Sequence, residues 1–262
     1  MSIAPTAAAS APPASDNPAD YMVFMKNVVV SFDGFKALNV DSFTLAANEL
    51  RVVIGPNGAG KTTLCDVISG KTKPLSGMVY VAGHDVRPMR DVAIARLGVG
   101  RKFQTPTVFD SLTVYENMEL ALPGRRGVFA SFFGQATLTQ QESIFTILNR
   151  VHLIEELTTP AKYLSHGQRQ WLEISMLIVA DSTLLLVDEP AAGLTDRETE
   201  LTAELLLELK GRHTLIVIEH DMEFVRRLGS RVTVLNEGQV LADGTLEQVQ
   251  ADPKVIEAYL GR

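Results

Sequence analysis

The chain has 262 residues, enough for one large domain or two small ones, and its 46% hydrophobic content supports a full core. A net charge of −7 without a basic stripe argues against nucleic-acid binding; Arg125-Arg126 and Arg226-Arg227 are short clusters that read as solvated surface. The single cysteine, Cys65, excludes an intrachain disulfide, suits a reducing compartment and reads as a small buried hydrophobe. No apolar run approaches the roughly 20 residues needed to span a bilayer, since residues 174–180 and 184–187 are core-length.

Residues 1–20 are rich in Ala, Pro and Ser, lack a basic start, and are expected to form a flexible tail rather than a secretory signal. Residues 23–32 are β-rich and end at the Asp33-Gly34 turn signal. Residues 42–45 and 49–54 read as strands, and the second runs straight into a Gly-rich loop. Helical character over 62–69 can stop at Gly70, and 77–81 is another short strand. The texture changes from about Asp110 to Ser165, where 116–122, 140–151 and 154–157 favour helix; an inserted helical subdomain is expected over about 106–175. A helix over 168–179, an apolar strand over 184–187, a helix over 196–210 and a strand over 215–218 follow. Residues 231–241 alternate, with turn signals at Glu237-Gly238 and Asp243-Gly244. Strands alternating with helices predict a mostly parallel sheet covered on both faces, which continuous apolar strands require.

Gly55-Pro56-Asn57-Gly58-Ala59-Gly60-Lys61-Thr62 fits the phosphate-loop pattern G-x-x-x-x-G-K-[ST] in full. A chance match in a chain of this length is on the order of one per cent, and a strand before and a helix after lower it further. Glycines let successive N–H groups face anionic oxygens, and the helix start adds positive potential. Lys61 can reach the β- and γ-phosphates, and the Thr62 hydroxyl can bind Mg²⁺. Residues 184–187 then end in Asp188-Glu189, so an apolar strand delivers two acids to the carboxyl edge of the sheet. Asp188 suits a Mg²⁺ carboxylate and Glu189 a general base for the attacking water. These two motifs define a P-loop nucleotidase.

Leu164-Ser165-His166-Gly167-Gln168 resembles the LSGGQ signature of ATP-binding-cassette (ABC) proteins. Gln104 stands where that family has its Q-loop, and His220 where it has its switch histidine. All five elements occur in family order, over about residues 21–262. The resemblance implies an α/β fold, a P-loop NTPase with a RecA-like mixed sheet, an antiparallel β subdomain and an inserted helical subdomain. It implies an ATPase that binds ATP and Mg²⁺ through residues 55–62 and Thr63. Gln104 would touch Mg²⁺ or water, and His220 would orient the water of Glu189. Ser165, Gly167 and Gln168 would face the ATP of a second subunit. Phe32 lies where the family stacks an aromatic on adenine, with Phe35 as competitor. Alone, Gln104 would read as surface, His220 as a structural histidine and Ser165 as a helix cap.

Two positions depart from the pattern. His166 replaces a signature glycine, and the D-loop reads Ala192-Gly193-Leu194-Thr195, its usual aspartate absent although Asp196 follows. The closing segment, Asp243-Gly244-Thr245 through Asp252-Pro253 to Leu260-Gly261, resembles ATPases of hydrophobic-amino-acid importers. Within that group, Phe32–Leu38, Gly100–Gln104, Leu164–Glu173 and Glu219–Val225 look most like the urea importer's ATPase. The expectation is a motor for urea uptake, with a branched-chain amino acid importer as the alternative. A soluble or regulatory ABC protein is the reading from another class, disfavoured by one cassette without a coiled coil and by the intact Glu189 and His220. The resemblance implies as partners a second ATPase subunit in a homo- or heterodimer, two transmembrane permease subunits and, indirectly, an external solute-binding protein. It places the chain at the cytoplasmic face of the inner membrane, without nucleic acid.

Overall fold

The computed structural model describes residues 15–102, 108–123 and 136–260. Gln104, the expected Q-loop residue, lies outside them. Residues 15–20 precede the first strand, with a 3-10 turn over Pro18–Asp20 and an ion pair from Asp16 to Lys26. The chain therefore has local structure a few residues before the expected start at residue 21.

Two sheets organise the chain. Strands β1 (Val23–Phe32), β2 (Phe35–Leu45), β4 (Ser76–Val81) and β5 (His84–Asp85) form an antiparallel sheet in the order β2-β1-β4-β5. The larger sheet runs β10-β9-β3-β8-β7-β6. Its members are β3 (Leu50–Ile54), β6 (Val99–Lys102), β7 (Leu184–Asp188), β8 (Thr214–Ile218), β9 (Arg231–Asn236) and β10 (Gln239–Gly244). It is parallel except for β10, which folds back on β9 at Glu237-Gly238. The mixed sheet with its antiparallel companion is the expected fold class. Because side chains alternate across a strand, Val52, Leu185, Val187, Leu215 and Val217 face one apolar layer, and Val53, Leu184, Leu186, Ile216 and Ile218 the other. Helix α1 (Lys61–Ile68), the short helix carrying Ile94 and the antiparallel sheet cover the second layer; the helices from residue 114 onward cover the first.

The helical block contains α3 (Val114–Ala121), α4 (Leu138–Arg150), short 3-10 turns over Ile154–Glu156 and Ala161–Tyr163, and α5 (His166–Val179). Helix α2 (Asp91–Arg96) lies ahead of it in the chain, and α6 (Asp196–Leu209), α7 (Met222–Leu228), α8 (Leu246–Ala251) and α9 (Pro253–Leu260) behind it. Helices α3, α4, α5, α6 and α8 each start with a reciprocal capping box, such as Thr113 with Glu116 and Ser165 with Gln168. The buried Asn117 pins the approach to α3: it accepts from Phe109 N at 2.8 Å and donates to the carbonyls of Phe109, Leu112 and Thr113. Trp171 on α5 is nearly buried, and its Nε1–H donates to Thr202 Oγ1 on α6 at 2.9 Å, tying the helical block to the helix that follows β7. No helix among the described residues is long and apolar enough to cross a membrane.

Leu215 is wholly buried in the middle of the parallel sheet between β3 and β7. Leu215→Ala is expected to lower the unfolding free energy by about 2–5 kcal/mol, read from the urea midpoint.

Candidate nucleotide site

Strand β3 is buried along its whole length and ends where the Gly-rich loop begins. Gly55 and Gly60 both have positive φ, and neither has room for a side chain. A Cβ at Gly55 would collide with the Leu235 carbonyl oxygen, and one at Gly60 would lie 2.7 Å from the Ala37 carbonyl oxygen. The loop is held by main-chain bonds, Ala59 N–H to Pro56 O at 3.1 Å and Gly238 N–H to Ala59 O at 3.0 Å. Lys61 opens α1 and arches back over the loop, donating to Gly55 O at 2.7 Å and Pro56 O at 3.0 Å. Burial lowers its pKa, and the charges of Glu189 and Asp188 pull the other way. Asn57, Gly58 and Thr62 are exposed, and Thr63 half-buried, on the rim of this cradle.

Asp188 and Glu189 leave the carboxyl end of β7, beside that loop. Desolvation raises the pKa of Asp188, opposed by the positive charges of Arg101, Lys102 and Lys61. Glu189 has φ 47°, unusual for a side-chain-bearing residue, and its N–H donates to Ile218 O at 2.9 Å. The turn sends its carboxylate towards His220: Nδ1 lies 3.6 Å from Glu189 Oε1. His220 is exposed at the end of β8, while Glu219 beside it is buried. The Glu219 carboxylate accepts the main-chain N–H of Ala191 at 2.9 Å and of His220 at 3.0 Å, so it fixes the segments carrying both Glu189 and His220.

Behind this edge lies a charge network without a counterpart in the sequence reading. Lys102 on β6 is buried; its ammonium donates to Asp188 O at 3.3 Å and sits 3.8 Å from Glu173 on α5. Burial lowers the Lys102 pKa and raises that of Glu219, and nearby opposite charges, with the N–H bonds at Glu219, offset part of both shifts. The Arg101-Lys102 pair, two residues before Gln104, hid the strand, and no local signal in the sequence marks Lys102 as buried. Arg101 next to it pairs with Asp66 on α1 and donates to Ser69 Oγ at 3.1 Å.

The signature residues lie at the start of α5. Ser165 is the N-cap, its Oγ accepting Gln168 N–H at 3.2 Å, while Gln168 Oε1 accepts Ser165 N–H at 2.9 Å. Gly167 is buried against Glu198 of α6, so that a Cβ there would meet its carboxylate. Ser165 and Glu198 also share a long hydrogen bond at 3.4 Å. The signature residues thus form a capped helix start whose Ser165 and His166 are exposed. Phe32 and Phe35 pair across the β1–β2 turn and are both exposed, so the hairpin tip offers two rings where the sequence favoured one. Cys65 is buried on α1, and desolvation pushes its thiol up to about 12.

Comparison with known proteins accords with this geometry. A model of the ABC transporter family matches residues 38–192, and a model of the branched-chain amino acid ATP-binding cassette transporter matches residues 239–262. The high-affinity branched-chain amino acid transport ATP-binding protein LivG of Escherichia coli is 36% identical, covering 92% of this chain and 98% of its own. BraF of Pseudomonas aeruginosa, with the same description, is 34% identical over 90% and 96%. A solved ATP-binding cassette of an ABC transporter in its ADP conformation superposes with a TM-score of 0.79 at 31% identity, over 92% of this chain and 99% of that one. A dimeric bacterial ABC transporter cassette superposes with a TM-score of 0.73 at 25% identity, over 86% and 99%.

Glu219→Gln keeps the shape but replaces one acceptor oxygen by an amide that cannot accept. Stability is expected to fall by about 1–3 kcal/mol, the cost of an unpaired buried group, measured by urea unfolding at neutral pH.

Proposed function

The chain belongs to the ABC transporter family as an ATP-binding, ATP-hydrolysing cassette subunit of an importer, and from that premise we propose that it powers uptake of branched-chain amino acids. The observation that carries this reading is the likeness over nine-tenths of the chain to subunits described as branched-chain amino acid transport ATP-binding proteins, together with the match of residues 239–262 to that group. Urea, which the sequence reading favoured, is the second reading. It rests on the phrases around Phe32, Gln104, Ser165 and His220.

Residues 55–63 cradle the triphosphate of ATP through main-chain N–H groups. Lys61 neutralises the β- and γ-oxygens, and Phe32 stacks on the base. The oxygen donors Thr62 and Asp188, with Gln104, suit Mg²⁺, a hard cation that keeps waters and phosphate oxygens in its shell; no cluster of three carboxylate, His or Cys ligands competes for it among the described residues. Bound there, the ion would supply charge neutralisation on the phosphate oxygens. Glu189 takes a proton from the attacking water, and His220, held at 3.6 Å, orients that carboxylate towards the γ-phosphate. Ser165, Gly167 and Gln168 complete the site of a second cassette subunit, identical or homologous; the similarity to a dimeric cassette supports this pairing. The helical block hands closure of that dimer to two transmembrane permease subunits, supplied by an external solute-binding protein. The cassette is then peripheral, at the cytoplasmic face of the membrane.

Glu189→Gln is expected to bind ATP normally and to lower kcat by about 10²–10⁴, the usual contribution of a general base, in a phosphate-release assay. Lys61→Ala is expected to raise the dissociation constant for ATP. Uptake of labelled leucine and labelled urea by cells carrying the parent or Lys61→Ala separates the solutes. Loss of leucine uptake alone supports the first reading, and loss of urea uptake alone the second. If neither changes, the importer assignment of this chain to these solutes falls.

A further inference from the structure

The departure at position 166 has a structural partner. His166 and Gln170 are one helical turn apart on α5 and share a face. His166 Nε2 lies 2.9 Å from Gln170 Nε2, and Gln170 Nε2 donates to the Ala192 carbonyl at 3.1 Å. His166 Nε2 itself lies 3.1 Å from that carbonyl. The Gln170 amide nitrogen carries two hydrogens, one for the ring nitrogen and one for the Ala192 carbonyl. Gln170 Oε1 is buried without a hydrogen-bond partner among the described residues, so the ring and the carbonyl are the groups seen to orient this amide. Ala192 N–H in turn donates to Glu189 O at 3.3 Å, and Ala191 N–H to Glu219 at 2.9 Å. Gly193 lies beside the ring: a Cβ there would stand in ordinary contact, 3.5 Å from His166 Cδ2 and Nε2, so it is the φ of +72° rather than space that favours glycine.

We propose that His166 is a positioning residue for hydrolysis: it fixes the amide of Gln170, which fastens the signature helix to the loop that carries Glu189 in the same subunit. A nucleotide held by the partner presses on Ser165 and Gly167. Through this triangle the pressure reaches the general base of the subunit that owns the signature. The link stands in the segment where the D-loop aspartate is replaced by Thr195, which instead caps α6 with Glu198. The inference rests on the site assignment above and adds to it a route between the two nucleotide sites.

The test is steady-state ATP hydrolysis by the purified full-length chain. His166→Leu keeps bulk and removes the ring acceptor; His166→Gln restores an acceptor oxygen at that reach; Gln170→Met removes the amide. His166→Leu and Gln170→Met are expected to lower kcat by about three- to tenfold, the size of one hydrogen bond, with KM within about twofold. His166→Gln is expected to stay within about twofold of the parent. The proposal is overturned if His166→Leu retains the parent kcat, if it raises KM with kcat unchanged, or if His166→Gln is as slow as His166→Leu. Glu189→Gln serves as the separate control. If it hydrolyses ATP like the parent, the site assignment fails; if it is inactive while His166→Leu is normal, only the latch fails.

Discussion

Two carbonyl oxygens dictate the shape of the nucleotide site. Those of Leu235 and Ala37 approach the phosphate loop so closely that residues 55 and 60 must lack a Cβ. They belong to different sheets. Gly238 joins the three pieces: its N–H binds the loop at Ala59, its carbonyl accepts Asn39 N–H of β2 at 2.7 Å, and a Cβ there would lie 2.9 Å from Ala37 O. The antiparallel sheet is therefore part of the site. It buttresses the loop from one side and carries Phe32 and Phe35 at its tip.

The acidic edge is built by the opposite means. There the main chain is bent by side chains that are themselves charged and buried. Glu219 gathers main-chain donors from two loops, and Lys102 fixes the carbonyl of Asp188 from behind. Burying ions is costly, and each of these is balanced by several neighbours rather than by one. The left-handed turn at Glu189 is local strain that the surrounding bonds hold in place.

How much of this was legible depended on whether the signal was local. The phosphate loop, the apolar strand before Asp188 and the turns at Asp33-Gly34 and Glu237-Gly238 are short, strongly patterned segments, and the structure has them. Strand β2 begins at Phe35, seven residues before the stretch read as a strand; Leu38-Asn39-Val40 alternates, but two successive exposed residues, Asp41 and Ser42, break the period before Phe43. Short helices such as α2 and α7 carry too few turns for a period to emerge, and β6 was not recognised because two of its four residues are basic. Lys102 and Glu173 were invisible as a pair, since they lie 71 positions apart in the chain and only the sheet and α5 bring them together. His166 was noticed as an irregularity, but its partner at Ala192 is a main-chain atom with no signature of its own.

The chain contains one tryptophan, and that residue sits on the signature helix with its indole N–H bonded to Thr202 of α6. All intrinsic tryptophan emission therefore comes from the seam between α5 of the helical block and α6. A turn of that block against α6, as the proposed function requires, would change the polarity and hydrogen bonding of the indole. The molecule would then report such a movement optically without a label.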